Sequence, residues 1–354
     1  MNAVPPRPSL VTHSADFLRE TIQRGEWKDH LPSERTLCTR MRISRPTLRA
    51  VLSQLEREGI LSPVTHKRRH ILSAAKATAG RARSRTIVLL TPVPAQLMPP
   101  FVLFWLDALR ELLADADYLL EVHASPSCFT GKPAGSLKKL MQRVTPAAWV
   151  LFRSTAAMQR WFSEHQLPAV LAGTCAEGIA LPSVDIDYRA TCRHAASLLV
   201  KKGHRRITLL LPDSTHGGDA ESELGYREGL SVSGTTPAIV RHRESAADLV
   251  RCLDEALRGP MKPTAFLVAR SMHALTVVSH LLRQGHRLPR DLAVVSRDDD
   301  AFLDHLVPKV TRYAANPARF ARQLSKLVLE VAQTGRARPK PMRLMPDLVR
   351  GETV

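Results

Sequence analysis

Only 5% of the residues are aromatic, and only five of the 354 are cysteine. Those five, Cys38, Cys128, Cys175, Cys192 and Cys252, are scattered, odd in number and never spaced as CxxC. That argues against a disulfide framework and a cysteine-held zinc, and for a reducing compartment. The first residues, MNAVPPRPSL, lack the continuous apolar core of a secretory leader. The uncharged stretch 86–106 contains Pro92, Pro94, Pro99 and Pro100, which would break a membrane-spanning helix. Catalytic signatures are missing as well. Gly131-Lys132 runs into Pro133 and makes no phosphate loop, no GxGxxG opens a helix, and neither GxSxG nor HExxH occurs. His273 and His280 lie seven apart without an evident third ligand, and Asp298-Asp299-Asp300 has no EF-hand spacing around it. The expectation is a cytoplasmic chain with no cofactor, no metal, no membrane partner and no enzymatic activity.

What the sequence has in excess is positive charge: 51 Lys and Arg against 33 Asp and Glu, a formal +18. Such a surplus favours a polyanionic partner. It is unevenly placed, since residues 1–85 hold 17 basic and 7 acidic residues. The segment 73–85, SAAKATAGRARSR, is small, basic and aperiodic, so it reads as a linker between domains at 1–72 and 86–354.

Within the first 72 residues, Leu10, Phe17, Leu18 and Ile22 recur near helical spacing. Ser33 is placed to cap a helix over 34–41, and Ser44 to cap a second one with Pro46 in its first turn. Leu48, Val51, Leu52 and Leu55 give that second helix an apolar face, and two helices joined by a short turn form a helix-turn-helix. ILSPVTHKRRHIL then reads as two short strands around a basic tip, a wing. The series LPSER, SRPTLRAVLSQLEREGIL and wing resembles the winged helix-turn-helix of the GntR family of bacterial transcription regulators. The tip, Thr65 to Arg69, departs from the family's glycine-rich wing. Arg45 and Arg49 lie four apart, off the leucine stripe, where a guanidinium can address guanine or phosphate. The resemblance adds Arg35, Ser44 and Thr47 as DNA contacts. Lys67, Arg68 and Arg69 are read as phosphate contacts.

From residue 86 short apolar strands alternate with amphipathic helices, at 86–90, 118–122, 148–152, 168–173, 206–211, 264–269 and 292–296. This pattern means parallel sheets covered on both faces, and the length calls for two α/β lobes with a cleft. PSVDIDYRATCRHAASLLVKKGHRRITLLLP, GYREGL, LRQGHRLPRDLAVVSRDDD and LMPDLVRGE resemble, in order, the effector-binding core of the LacI family, which shares the fold of periplasmic sugar-binding proteins. The resemblance implies a ligand between the lobes. Asp298 corresponds to the first aspartate of the family's Asp-Asp pair. Arg270-Ser271 stands where the family has Asn-Asp, Ser222 replaces a family arginine, and Arg297 replaces an aromatic residue. Asp298, Arg270 and Asp213 are the candidate ligand contacts, each following a strand. With Arg270 near the cleft and Arg297 beside Asp298, an effector bearing an anionic group is expected; the alternative is that the two arginines turn outward, or pair with Asp298 and Asp299, and the pocket binds something neutral or nothing.

The fold class expected is therefore α/β, a small winged helix-turn-helix followed by a two-lobed periplasmic-binding-protein-like domain. The function expected is a DNA-binding regulator that dimerises and responds to a small effector. The competing readings are a binding protein or an enzyme on a similar α/β core, without a DNA role.

Overall fold

The computed structural model describes residues 10–23, 27, 30–57, 60–62, 71, 84–231 and 233–354. The chain divides into two compact units, Met1–Ser84 and Arg85–Val354. The first holds α1 (Leu10–Gln23), α2 (Glu34–Met41) and α3 (Arg45–Arg57). The Ser33 hydroxyl accepts from the Thr36 amide at 3.2 Å and the Ser44 hydroxyl from the Thr47 amide at 3.3 Å, each satisfying one of a helix's orphan donors. Between the two helices Arg42 adopts the left-handed conformation, with φ 52°. Ala15, Leu18 and Ile22 of α1 pack with Leu37 of α2 and with Leu48, Val51, Leu52 and Leu55 of α3. Phe17, read from spacing as part of that apolar face, is 43% exposed. Positions 15, 18 and 22 step by three and four and share one side of the helix, whereas 17 falls off it. Leu61 and Ile71 are buried and pair as an antiparallel bridge, closing the base of the expected wing. Lys67, Arg68 and Arg69, and most of the linker, lie outside the described residues.

The second unit runs β1 (Thr86–Thr91), α4 (Pro100–Ala114), β2 (Leu119–Ala124), α5 (Ala134–Arg143), β3 (Ala148–Phe152), α6 (Ala156–Glu164), β4 (Ala169–Ala172) and β5 (Ser183–Ile186). It continues through α7 (Tyr188–Lys201), β6 (Ile207–Pro212), α8 (Gly217–Ser231), β7 (Ala238–His242), α9 (Ala246–Arg258), β8 (Ala265–Val268), α10 (Ser271–Arg283), β9 (Ala293–Ser296) and β10 (Thr311–Ala314). It ends with α11 (Pro317–Thr334), β11 (Pro341–Leu344) and β12 (Asp347–Val349). Two six-stranded sheets result, ordered β11-β5-β4-β3-β1-β2 and β12-β10-β9-β8-β6-β7. Every pairing is parallel except β10 with β12.

The strands read as unbroken apolar runs because both faces are covered. Along β1, Ile87 and Leu89 enter one core and Val88 and Leu90 the other. Along β6, Ile207, Leu209 and Leu211 enter one core and Leu210 the other. Each such side chain contributes roughly 1.5–3 kcal/mol on burial. In each lobe the first strand lies between the second and the third. That order creates a switch point at which the connections leave in opposite directions and a crevice opens at the carboxyl ends of the strands.

Candidate functional site

On the small unit, the buried leucines of α3 leave Arg45 and Arg49 exposed near its amino end, with Arg35 exposed on α2. The Arg49 Nε lies 3.5 Å from the Glu34 carboxylate, a solvent-exposed pair that contributes little to stability. Ser44 and Thr47 are engaged with each other, hydroxyl to hydroxyl at 2.7 Å, as part of the α3 cap. The structure thus displays three guanidiniums and gives the two hydroxyl residues a structural role.

On the large unit, the crevice between the lobes encloses about 390 Å³. The loops that follow β1, β3, β4, β6, β7, β8 and β9, together with the amino ends of α4, α8 and α10, supply most of its walls. One side is aromatic, with Phe101 and Trp105 of α4, Phe152 at the end of β3 and Phe320 of α11. Trp105 packs edge-on to Phe152 with ring centroids 5.8 Å apart. The amino end of α8 closes in on the first lobe. A Cβ on Gly217 would stand 2.9 Å from the Thr174 side chain, so only glycine fits at this approach.

The polar wall is built around Asp219, which is 2% exposed. It accepts from Arg297 Nη1 at 3.1 Å, Arg270 Nη2 at 2.8 Å and the Ser214 hydroxyl at 2.6 Å. Burial alone would raise its proton affinity, but Arg297 and Arg270 hold the carboxyl well below the usual carboxylate range. Asp298 lines the crevice as expected. Its two oxygens accept from Arg297 Nε and Nη2, both at 3.0 Å. Arg270 also lines the crevice, partly exposed.

Two expectations need correction. Asp213 is exposed and is not among the crevice-lining residues; its amide donates to the His242 carbonyl, which ties it to the end of β7. Arg297 does not offer itself to an anion. Its side chain is 1% exposed, stacks 4.1 Å from the Tyr188 ring, and donates to Asp298, Asp219 and the Ser222 hydroxyl. Position 222, where the resemblance calls for arginine, is thus reached by a guanidinium supplied from 297. Asp299 is likewise engaged, by Arg312 at 2.5 Å.

Sequence reasoning missed several lining residues. Asp185 accepts from the Thr174 hydroxyl and, at 2.8 Å, from the Ile186 amide; burial pushes its carboxyl up to about 6. Arg153, directly after β3, has φ 54°. His273 and His242 meet edge to face with centroids 4.5 Å apart, and burial followed by His242 lowers His273 to about 4, so it is neutral at pH 7. The spacing of Phe101 and Trp105, four apart on an amphipathic helix, was a usable signal. Asp185 and Arg153 carried none beyond their place after or within a strand.

Comparison with known proteins gives concordant matches. Residues 11–69 match the family described as bacterial regulatory proteins, gntR family, and residues 196–354 match the periplasmic binding protein-like domain. The HTH-type transcriptional regulator CelR of Thermobifida fusca is 28% identical over 150 residues, 42% of this chain and 44% of that protein. The HTH-type transcriptional repressor CytR of Escherichia coli (strain K12) is 26% identical over 197 residues, 52% of this chain and 56% of that protein. The chain thus spans about half the length of these relatives. Among solved structures, a CelR–cellobiose complex superposes with a TM-score of 0.68 at 19% identity, covering 98% of this chain and 100% of that one. A LacI-family regulatory protein from Chloroflexus aggregans gives a TM-score of 0.68 at 18% identity, covering 76% and 98%. At these identities the structural likeness is one of fold. The chain therefore joins a segment that matches the gntR-family model to one that matches the periplasmic binding protein-like domain.

Proposed function

We propose that this protein is a DNA-binding transcription regulator whose operator affinity is set by a small polar effector held between the two α/β lobes. The observation that carries the reading is the union in one chain of an exposed arginine pair at the start of α3 and a walled crevice at the carboxyl ends of two parallel sheets. The relatives' names as HTH-type regulators support the DNA role, and the cellobiose in the CelR complex supports a sugar-like effector. The mechanism is linkage: an effector that binds one lobe arrangement better shifts the population that engages DNA. The reading is non-enzymatic and cytoplasmic, with a dimer formed through residues 86–354. Among the described residues no helix is long and apolar enough to cross a membrane.

Mobility shifts on the DNA flanking the gene test this reading. Arg45→Ala or Arg49→Ala should lose about 1–3 kcal/mol of specific binding. Lys67→Ala, Arg68→Ala or Arg69→Ala should weaken all sequences alike and flatten the salt dependence by about one unit each. Unchanged affinity and salt slope in all five variants would overturn the DNA assignment.

A further inference from the structure

The crevice contains one cation that the chain itself does not use. Arg153 lines it from the first lobe, half-buried, and among the described residues it makes no hydrogen bond and no ion pair. Its guanidinium carries five donors in a fixed fork. Its backbone is also held at φ 54°, a conformation glycine adopts freely and arginine only at a cost. Two unfavourable features thus coincide in one residue with no return inside the protein. Outlying backbone geometry of this kind concentrates at ligand-binding positions.

Most other charged groups of the wall are engaged within the protein. Arg297 makes four hydrogen bonds, to Asp298, Asp219 and Ser222. Asp299 is held by Arg312, and Asp219 is held by two guanidiniums. Asp300 takes the Ser271 hydroxyl on Oδ2 and leaves Oδ1 buried without a partner, Asp185 takes Thr174 and the Ile186 amide, and Glu244 is open to solvent. From the second lobe Arg270 gives only one of its nitrogens, Nη2, to Asp219 and keeps the rest of its fork open. His216 lies where both fields reach: burial, then Arg153, and to a lesser degree Arg270 push the proton affinity of its imidazole below the usual value. The amino end of α8, at Gly217 and Gly218, lines the same region and adds the positive end of a helix dipole.

We propose that the effector carries an oxyanion, a carboxylate or a phosphate, and that Arg153 grips it from the first lobe while Arg270 faces it from the second. The proposal rests on the crevice being the effector site. It differs from the expectation drawn from sequence in the residue that does the work: Arg297 is internal wiring, and Arg153 is the free fork. An anion held by one guanidinium from each lobe also ties the lobes together, which is what a closing effector must do.

The test is a thermal-shift series on the full-length protein at constant ionic strength, with D-glucose, D-glucuronate, D-glucose 6-phosphate and inorganic phosphate as probes. At least one anionic probe should raise the melting temperature beyond any effect of glucose, by mass action. The acid and phosphate arms separate the two oxyanion sources. Arg153→Gln and Arg153→Gly should each weaken that response roughly 10- to 100-fold in apparent affinity. Arg153→Gly without ligand should melt no lower than wild type, because it removes the backbone strain while removing the contact. A response to glucose alone, or an anion response equal in wild type and both Arg153 variants, overturns the proposal and leaves the effector site standing. No response to any probe overturns the proposal and also removes support from the crevice as the effector site.

Discussion

Asp185 stands half-buried on β5 at the crevice, with its carboxyl raised to about 6 chiefly by burial. A folded-state value above the unfolded one means that the associated stability is complete below about pH 4 and lost as pH rises through about 6. At neutral pH the ionised group therefore weakens the fold. Asp185→Asn keeps a partner for both Thr174 and the Ile186 amide and should stabilise by about 1–3 kcal/mol at pH 7.5. The gain should vanish at pH 4, as read from paired melting curves; a gain that persists there would locate its origin elsewhere. At Arg42 the left-handed backbone sits in the turn between α2 and α3. Arg42→Gly should raise the stability of the small unit by about 0.5–1 kcal/mol, read by denaturant titration. The two kinds of residue differ in how visible they are in sequence. The placement of Arg45 and Arg49 follows from helical periodicity alone, since the leucine stripe defines the opposite face. The engagement of Arg297 does not, because its partners Asp219 and Ser222 are more than seventy residues away. Only the packing of α8 against the end of β9 brings them together.

Helices α7 and α8 pack backbone against backbone. A Cβ on Gly225 would fall 2.0 Å from the Arg189 carbonyl oxygen, and one on Gly229 would fall 2.5 Å from that of Arg193. Neither neighbour is a side-chain tip that can move aside, so Gly225→Ala must push the helices apart. The expected loss is about 1–3 kcal/mol, or several degrees in the melting temperature. Gly135→Ala on α5, with nothing within 4 Å of the added atom, should instead raise it slightly by favouring the helix; equal effects at both sites would refute the packing argument. The seven strands legible in the sequence are mostly those buried on both faces. The stretch now seen as β7 has an exposed and half-exposed start, and β10, β11 and β12 are three or four residues long with mixed character. Such edges and short crossings lack the apolar run that betrays a central strand.

The small unit has its own core, from Ala15 on α1 to Ile71. A fragment of residues 1–80 should fold yet bind operator far more weakly than the full chain. In the proposed dimer, two heads joined through the large unit would gain effective concentration on half-sites about 34 Å apart. Equal affinity of fragment and full chain, measured by mobility shift, would rule out the dimer. In the large unit the chain passes between the two sheets after β5, after β10 and after β11. Across that junction Arg343 of β11 meets Glu221 of α8, with both nitrogen-to-oxygen distances 3.2 Å. The threefold passage bears on heredity as well as on mechanics. A genetic crossover between Ser84 and Arg85 exchanges the whole of the small unit, the proposed DNA-reading head. A crossover anywhere from β1 to β12 leaves at least one lobe stitched together from two parents. If the proposed roles hold, recombination among such genes can trade address labels freely, while the sensor must be inherited whole.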